Sequence, residues 1–175
     1  VHGMNYTTPI ILNKSNTQEL LKYNEFAPLH QVAEISVIKA CESFCKKHKI
    51  KQIAVFDTLF FKDLPKVAST YAIPNNLKIK RYGFHGFSHG YIASKFKGNI
   101  ISCHLGNGSS VTAIKNGKPL DTSMGFTPLE GIIMGTRPGS IDPGIILRLF
   151  KIHKNYKKVE DILYNKSGLL ALSKQ

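Results

Sequence analysis

Residues 99–122 constrain the fold more than any other stretch of the chain. Asn99-Ile-Ile-Ser-Cys-His-Leu105 reads as a strand and runs into Gly106-Asn107-Gly108-Ser109-Ser110. Val111-Thr-Ala-Ile114 reads as a second strand, and Asn116-Gly117 after it is a strong signal for a two-residue hairpin turn. Lys118-Pro-Leu-Asp-Thr122 then pairs back as a third strand. The segment is therefore a β-meander with a glycine-rich first turn. Two glycines let backbone approach a ligand closely, and successive N–H groups can point at an anion. Asn107 and Ser109 add side-chain donors. The turn is no Walker loop, because Gly-Lys-Ser/Thr is missing, and no dinucleotide fingerprint, because no helix follows. A phosphate-cradling hairpin and an ordinary tight hairpin are both open readings at this point.

The flanking sequence intermixes helices with strands. Residues 34–49 read as an amphipathic helix, with Ile35, Ile38, Cys41, Phe44, Cys45 and His48 recurring at spacings of three and four. Gln52-Ile-Ala-Val-Phe-Asp57 reads as a buried strand ending in an acid. A proline-containing loop follows, and Ser88 is placed to cap a short helix running to about Phe96. Asp142-Pro143 starts a helix, with the acid as cap and proline at the first helical position; Ile145, Ile146, Leu149, Phe150 and His153 give it an apolar face. A shorter helix spans Val159 to Tyr164. The class is α/β or α+β.

Composition narrows the function. The 175 residues suit one domain or two small lobes. Apolar residues at 42% argue against wholesale disorder. No apolar run approaches the ~20 residues of a membrane helix, and Val1-His2-Gly3-Met4 has no signal-peptide pattern. Three cysteines are too few and odd in number for a disulfide framework, so a reducing cytoplasm fits. Cys41 and Cys45 share a helix face; they read as small core residues, since a metal pair needs two more ligands. The net charge of +13 raises nucleic acid as a partner. However, only Arg81, Arg137 and Arg148 are arginines, and lysine excess argues against specific base reading and for a solvated surface.

Three further residues stand out. Arg137 lies in Gly135-Thr136-Arg137-Pro138-Gly139, just before a helix start, where its fork can be aimed at phosphate oxygens. His85, in Gly83-Phe84-His85-Gly86, reads as an imidazole donor in a loop. His85 and His89 are also four apart, the spacing of two metal ligands on a helix, but no third ligand is local. Asp57 sits at a strand end, where α/β sheets face their ligand crevice; capping a loop is the alternative.

Ala27-Pro28-Leu29-His30, Val55-Phe56-Asp57-Thr58, Arg81 to Gly86, His104 to Ser110, Asp121 to Gly131, Gly135-Thr136-Arg137 and Ile141-Asp142-Pro143 occur in that order. Together they resemble the acetate and propionate kinase family, and the resemblance covers nearly the whole chain. It implies an α/β, partial actin-like (ribonuclease H-like) two-lobe kinase fold, with residues 1–59 as a partial first lobe and 60–175 as a partial second lobe. It implies reversible phosphoryl transfer between ATP and acetate, giving acetyl phosphate and ADP, with Mg²⁺. Asp57 then corresponds to the family's active-site carboxylate, and His85 and Arg137 to its transition-state stabilisers. His104, Leu105, Gly106, Asn107 and Gly108 correspond to part of the ATP phosphate loop. His30 and Phe84 correspond to active-site lining, Phe84 beside the acetate methyl. The resemblance further implies a cytoplasmic homodimer in the full-length form, with no membrane and no specific nucleic acid as partner.

The chain also departs from the family pattern. The Ser-rich phosphate turn with its Lys, the carboxylate-binding Arg before Val1-His2-Gly3, the adenosine-binding segments and the C-terminal Mg²⁺-ligating Glu have no counterpart. Met4 replaces a Gly, and Phe61 stands where many members have His. The expectation is a central piece of such a kinase, without the opening strands and C-terminal segment. It should be marginally stable, prone to associate, and weak or inactive alone, or else a non-catalytic remnant.

Overall fold

A computed structural model describes residues 2–4, 6–24 and 30–173. The first part of the chain pairs a two-stranded ribbon with two helices. Strand β1 (Ile10–Ile11) is followed by helix α1 (Lys14–Leu21), which opens with a reciprocal cap: Asn13 accepts from the Asn16 N–H, and the Asn16 side chain accepts from the Asn13 N–H. Helix α2 spans Gln31–Lys47, and strand β2 (Ile53–Ala54) pairs antiparallel with β1. Leu20, Ile35 and Phe56 form the core of this part, with Tyr6 stacked on Phe56.

Two expectations fail here. The helix over 34–49 begins at Gln31 and ends at Lys47, and much of its apolar stripe is uncovered. Ile35 is buried, but Phe44 is 57% exposed, Cys41 is exposed and Cys45 only half-buried, so the cysteines are not core residues. The reason is length. At 1.5 Å per residue, α1 is about 12 Å long and cannot cover α2, about 25 Å long. The strand over 52–57 shrinks to two residues, with Ile53 at 60% and Val55 at 45% exposure, because β1 offers it only two pairing residues. Phe56 alone is fully buried there.

After a 3₁₀ turn at Asp57–Phe61 come helix α3 (Lys66–Ser69) and helix α4 (Gly86–Lys95). The meander has the order read from the sequence, with its middle strand longer than the expected Val111–Ile114: β3 (Asn99–Leu105), β4 (Ser109–Lys115) and β5 (Lys118–Thr122) pair antiparallel in that order. Asn116 and Gly117 both take positive φ, as the turn demands. A register shift follows at Ala113/Ile114. The hairpin turns an unusual face inward. Ser102, Ser110, Thr112 and Thr122 are buried toward α4 or β5, while Ile101 and Leu105 are 68% and 74% exposed on the outer face.

Arg81 ties the following loop to this sheet. Its guanidinium donates to the carbonyls of Ala68, Thr122, Ser123 and Met124 and to Glu130 at 2.7 Å. Glu130 also accepts from Tyr71. Asp142 caps α5 (Pro143–His153) through the Gly144 N–H, as expected, though no residue of α5 is fully buried. Helix α6 (Tyr156–Asn165) starts three residues earlier than read, because Asn155 supplies its cap. Helix α7 (Gly168–Ser173) was not anticipated. No helix among the described residues is long and apolar enough to cross a membrane.

Candidate active site

The site is built outward from the N-terminus of α4. Asp57 receives the Phe87 N–H at 3.1 Å and the His85 N–H on its other oxygen, so one carboxylate caps the helix from 28 residues away. This is why the helix begins at Gly86 and not at Ser88: the unpaired N–H groups already have an acceptor. Gly86 is required by close approach, since a Cβ there would lie 1.8 Å from the Asp57 carbonyl oxygen. Burial pushes the Asp57 carboxyl up, and the N–H groups of Phe87, His85 and Gly86 pull it back down.

Capping forces His85 into the left-handed region, at φ 59°. A non-glycine residue there stores strain of the sort found at functional sites. The His85 ring stacks on His104, centroids 4.0 Å apart, at the end of β3. Its Nδ1 is 2.9 Å from the Ser110 hydroxyl, and Ser110 is paired across the hairpin with His104. Burial, then the neighbouring charges of His104, His89, Arg137 and His30, push His85 down to about 3. It is therefore a neutral imidazole at physiological pH.

The glycine-rich turn is held by its own backbone. The Gly106 N–H donates to the Gly108 carbonyl at 3.1 Å, and Ser109 donates to the Gly106 carbonyl at 2.9 Å. Asn107 accepts the Gly135 N–H at 3.1 Å, which joins the turn to the loop carrying Arg137. That loop is anchored in turn by α7 and its lead-in. Ser167, Leu169 and Leu170 donate their N–H groups to Thr136, Met134 and Gly135. Arg137 is buried at 4% exposure, with Nη1 on the Pro128 carbonyl at 2.9 Å. Its Nε is buried without a partner among the described residues. A Cβ at position 108 would fall 2.3 Å from Arg137 Nη2, so the guanidinium can lie here only because residue 108 is glycine. Burial lowers the Arg137 pKa, and Tyr164 opposes that shift.

The structure thus brings together Asp57, His85, His104, Gly108 and Arg137. Gly106 and Asn107 are exposed at the turn, as is Leu105 just before it. Phe84 lies deeper, packed with Met124 and Met134 and touched edge-on by His2. His30 is exposed at the start of α2; the rest of its motif, Ala27-Pro28-Leu29, lies outside the described residues. His89 does not join His85 around a metal. It is wholly buried, with Nδ1 on Ser102 and Nε2 on Ser110. No cluster of three His, Cys, Asp or Glu suited to a metal occurs among the described residues. Sequence reasoning missed Ser102 and Ser110. Their signal is the even spacing of Ser102, His104, Ser110 and Thr112, which register places on one face of the hairpin.

A family model described as the acetokinase family matches residues 1–175. The chain is 45% identical over 188 residues to an acetate kinase of Caldicellulosiruptor saccharolyticus, covering 99% of this chain and 47% of that protein. It is 43% identical to one of Clostridium beijerinckii, covering 99% and 46%. Among solved structures, a propionate kinase from Francisella tularensis matches with a TM-score of 0.87 at 36% identity, covering 98% of this chain and 47% of the other. An acetate kinase from Entamoeba histolytica matches at 0.88 and 34%, covering 99% and 47%. The chain spans about half the length of the curated relatives it matches.

Proposed function

Because the chain belongs to the acetokinase family, we propose that its residues carry the phosphoryl-transfer part of an acetate kinase site. The reaction moves the terminal phosphoryl group of ATP to acetate, giving acetyl phosphate and ADP, and runs in both directions. The observation that carries this reading is Arg137. A buried guanidinium with an unmatched Nε, packed against a glycine in an anion-cradling turn, is under-satisfied without an anionic ligand.

The roles are those the family resemblance implies, and the geometry supports several of them. Phosphoryl transfer spreads charge over three equatorial oxygens and asks the protein chiefly for positioning and compensating charge. Arg137 supplies the positive charge. His85, neutral, supplies a hydrogen bond and no charge. Asp57 positions His85 through its backbone and the start of α4. The turn from His104 to Gly108 takes the ATP phosphates, and His30 and Phe84 line the acyl side. Magnesium, which accompanies ATP in this reading, shields the phosphate charge when bound. Such an ion is usually held by one or two carboxylates plus phosphates. Asp57, the carboxylate beside His85, accepts one N–H on each oxygen and keeps further lone pairs, but no group of three His, Cys, Asp or Glu suited to a metal occurs among the described residues, so they form no magnesium cage by themselves. Propionate is the second reading for the acyl substrate, favoured by the likeness to the Francisella propionate kinase. The two-lobe division at residue 59/60, the cytoplasmic location and the homodimer of a full-length form belong to the same proposal.

The test supplies the chain with ATP, Mg²⁺, acetate and hydroxylamine and measures the trapped hydroxamate, with Arg137→Ala in parallel. The expected result is product that falls about 10³-fold in the variant. Product indifferent to Arg137→Ala overturns the assigned site, and no product means that this chain is inactive alone, as expected of a central piece of such a kinase.

A further inference from the structure

We propose that Ser110, held in turn by His89 and Ser102, is a positioning residue that fixes His85 as its Nε2–H tautomer, so that the ring presents a proton donor to the transferring group. This rests on the phosphotransfer reading only for what the donor serves.

Four side chains form an unbranched polar chain. Ser102 Oγ lies 2.9 Å from His89 Nδ1, His89 Nε2 lies 2.8 Å from Ser110 Oγ, and Ser110 Oγ lies 2.9 Å from His85 Nδ1. Ser110 and His89 are 0% exposed and Ser102 is 5% exposed, so water does not complete their bonding. His85 Nε2 has no hydrogen-bond partner among the described residues. Both rings are neutral at physiological pH, since burial brings His89 to about 4 and His85 to about 3. Each ring then has one N–H and one lone pair.

Those constraints decide the direction of the chain. If His85 donated from Nδ1 and Ser110 passed its proton to His89 Nε2, His89 would donate from Nδ1 to Ser102. The Ser102 hydroxyl would then be a buried donor with no acceptor. If both rings donated to Ser110, the Ser110 hydroxyl would be the stranded one. If His89 donated from Nδ1 to Ser102 while His85 kept its proton on Nε2, the Ser102 hydroxyl would again be stranded. Only the fourth arrangement uses every buried donor: Ser102 to His89 Nδ1, His89 Nε2–H to Ser110, and Ser110 to His85 Nδ1. An unmade buried hydrogen bond is costly, so this arrangement wins. His85 is left with its proton on Nε2, the nitrogen that no group among the described residues occupies. The αL backbone fixed by Asp57 and the stack on His104 hold the ring plane, and Ser110 fixes which nitrogen donates.

Long-range ¹H–¹⁵N spectra of the histidine-labelled chain at neutral pH test this without turnover. The expected result is a single Nε2–H tautomer for both His85 and His89. Ser110→Ala should release His85 to a tautomer mixture, and Ser110→Thr, which keeps the hydroxyl, should preserve the wild-type pattern. An Nδ1–H or doubly protonated His85 in the wild type overturns the proposal, as does Ser110→Ala leaving the His85 signals unchanged. Should Ser110→Ala not fold, the wild-type spectrum still decides. A chain that makes no hydroxamate leaves this test intact, and a wrong tautomer leaves the transfer reading intact.

Discussion

Helix α2 and the loop from Thr122 to Asp142 reverse the usual association of regular structure with firm packing. Helix α2 is seventeen residues of continuous helix, yet it buries only Gln31 and Ile35. The loop has almost no regular structure, yet Met124, Met134 and Arg137 within it are nearly inaccessible. Arg81 holds three successive carbonyls of it, Asn107 receives Gly135, and three N–H groups from Ser167 to Leu170 close its far side. The difference teaches that a hydrophobic period encodes a local conformation, whereas fixation in space comes from the groups that bind elements together. In this chain the polar hubs do that work, and they do it where the candidate chemistry lies.

The comparison can be tested from both sides. Phe56→Ala removes the best-packed ring of the first part and should cost about 4 kcal/mol by urea denaturation; a loss under ~1 kcal/mol would show that this part has no core of its own. Gly108→Ala drives a methyl into Arg137 and should lower hydroxamate formation about 10²-fold with the fold intact. Unchanged turnover in that variant would detach the turn from the arginine. Acidification probes the buried imidazoles. His85 titrates near 3 and His89 and His2 near 4, against 6.5 when unfolded, so in between the unfolded chain binds more protons. Stability should be complete above about pH 6.5 and fall as the pH drops below it, by up to ~1.4 kcal/mol per pH unit for each proton. Asp57, raised by burial, works in the opposite sense. A urea midpoint flat from pH 7.5 to 5 would mean that these rings are not held neutral. Phe44→Ser on the open face of α2 should change stability by less than about 0.5 kcal/mol; a larger loss would mean that this face is covered in solution.

Legibility in the sequence divides along the same line. The meander was readable because Asn116-Gly117 and the strand residues act within a few positions of themselves, and so was the cap Asp142 with Pro143. The start of α4 was not readable, because its cap is Asp57 and no local residue announces it. The burial of Gln52–Asp57 and of Cys41 and Cys45 was misjudged because an apolar residue states a preference for cover without naming what provides it. Of the candidate site, Asp57, His85, His104, Gly108 and Arg137 were legible as residue types in glycine-rich settings, and they do meet. The Ser102–His89–Ser110 chain was hidden, since it exists only once strand register is known.

The inward face of the meander carries a thermal consequence. A hairpin that seals hydroxyls and imidazoles against a helix, with Ile114 as its deeply buried aliphatic and Ile101 and Leu105 in water, hides much polar surface beside its hydrocarbon. Hydrating polar surface on unfolding lowers the heat capacity that hydrating apolar surface raises. That polar face therefore adds less to the heat capacity of unfolding than an oily face of the same size. Cooling, which weakens hydrophobic cohesion, should weaken this face less than an oily one.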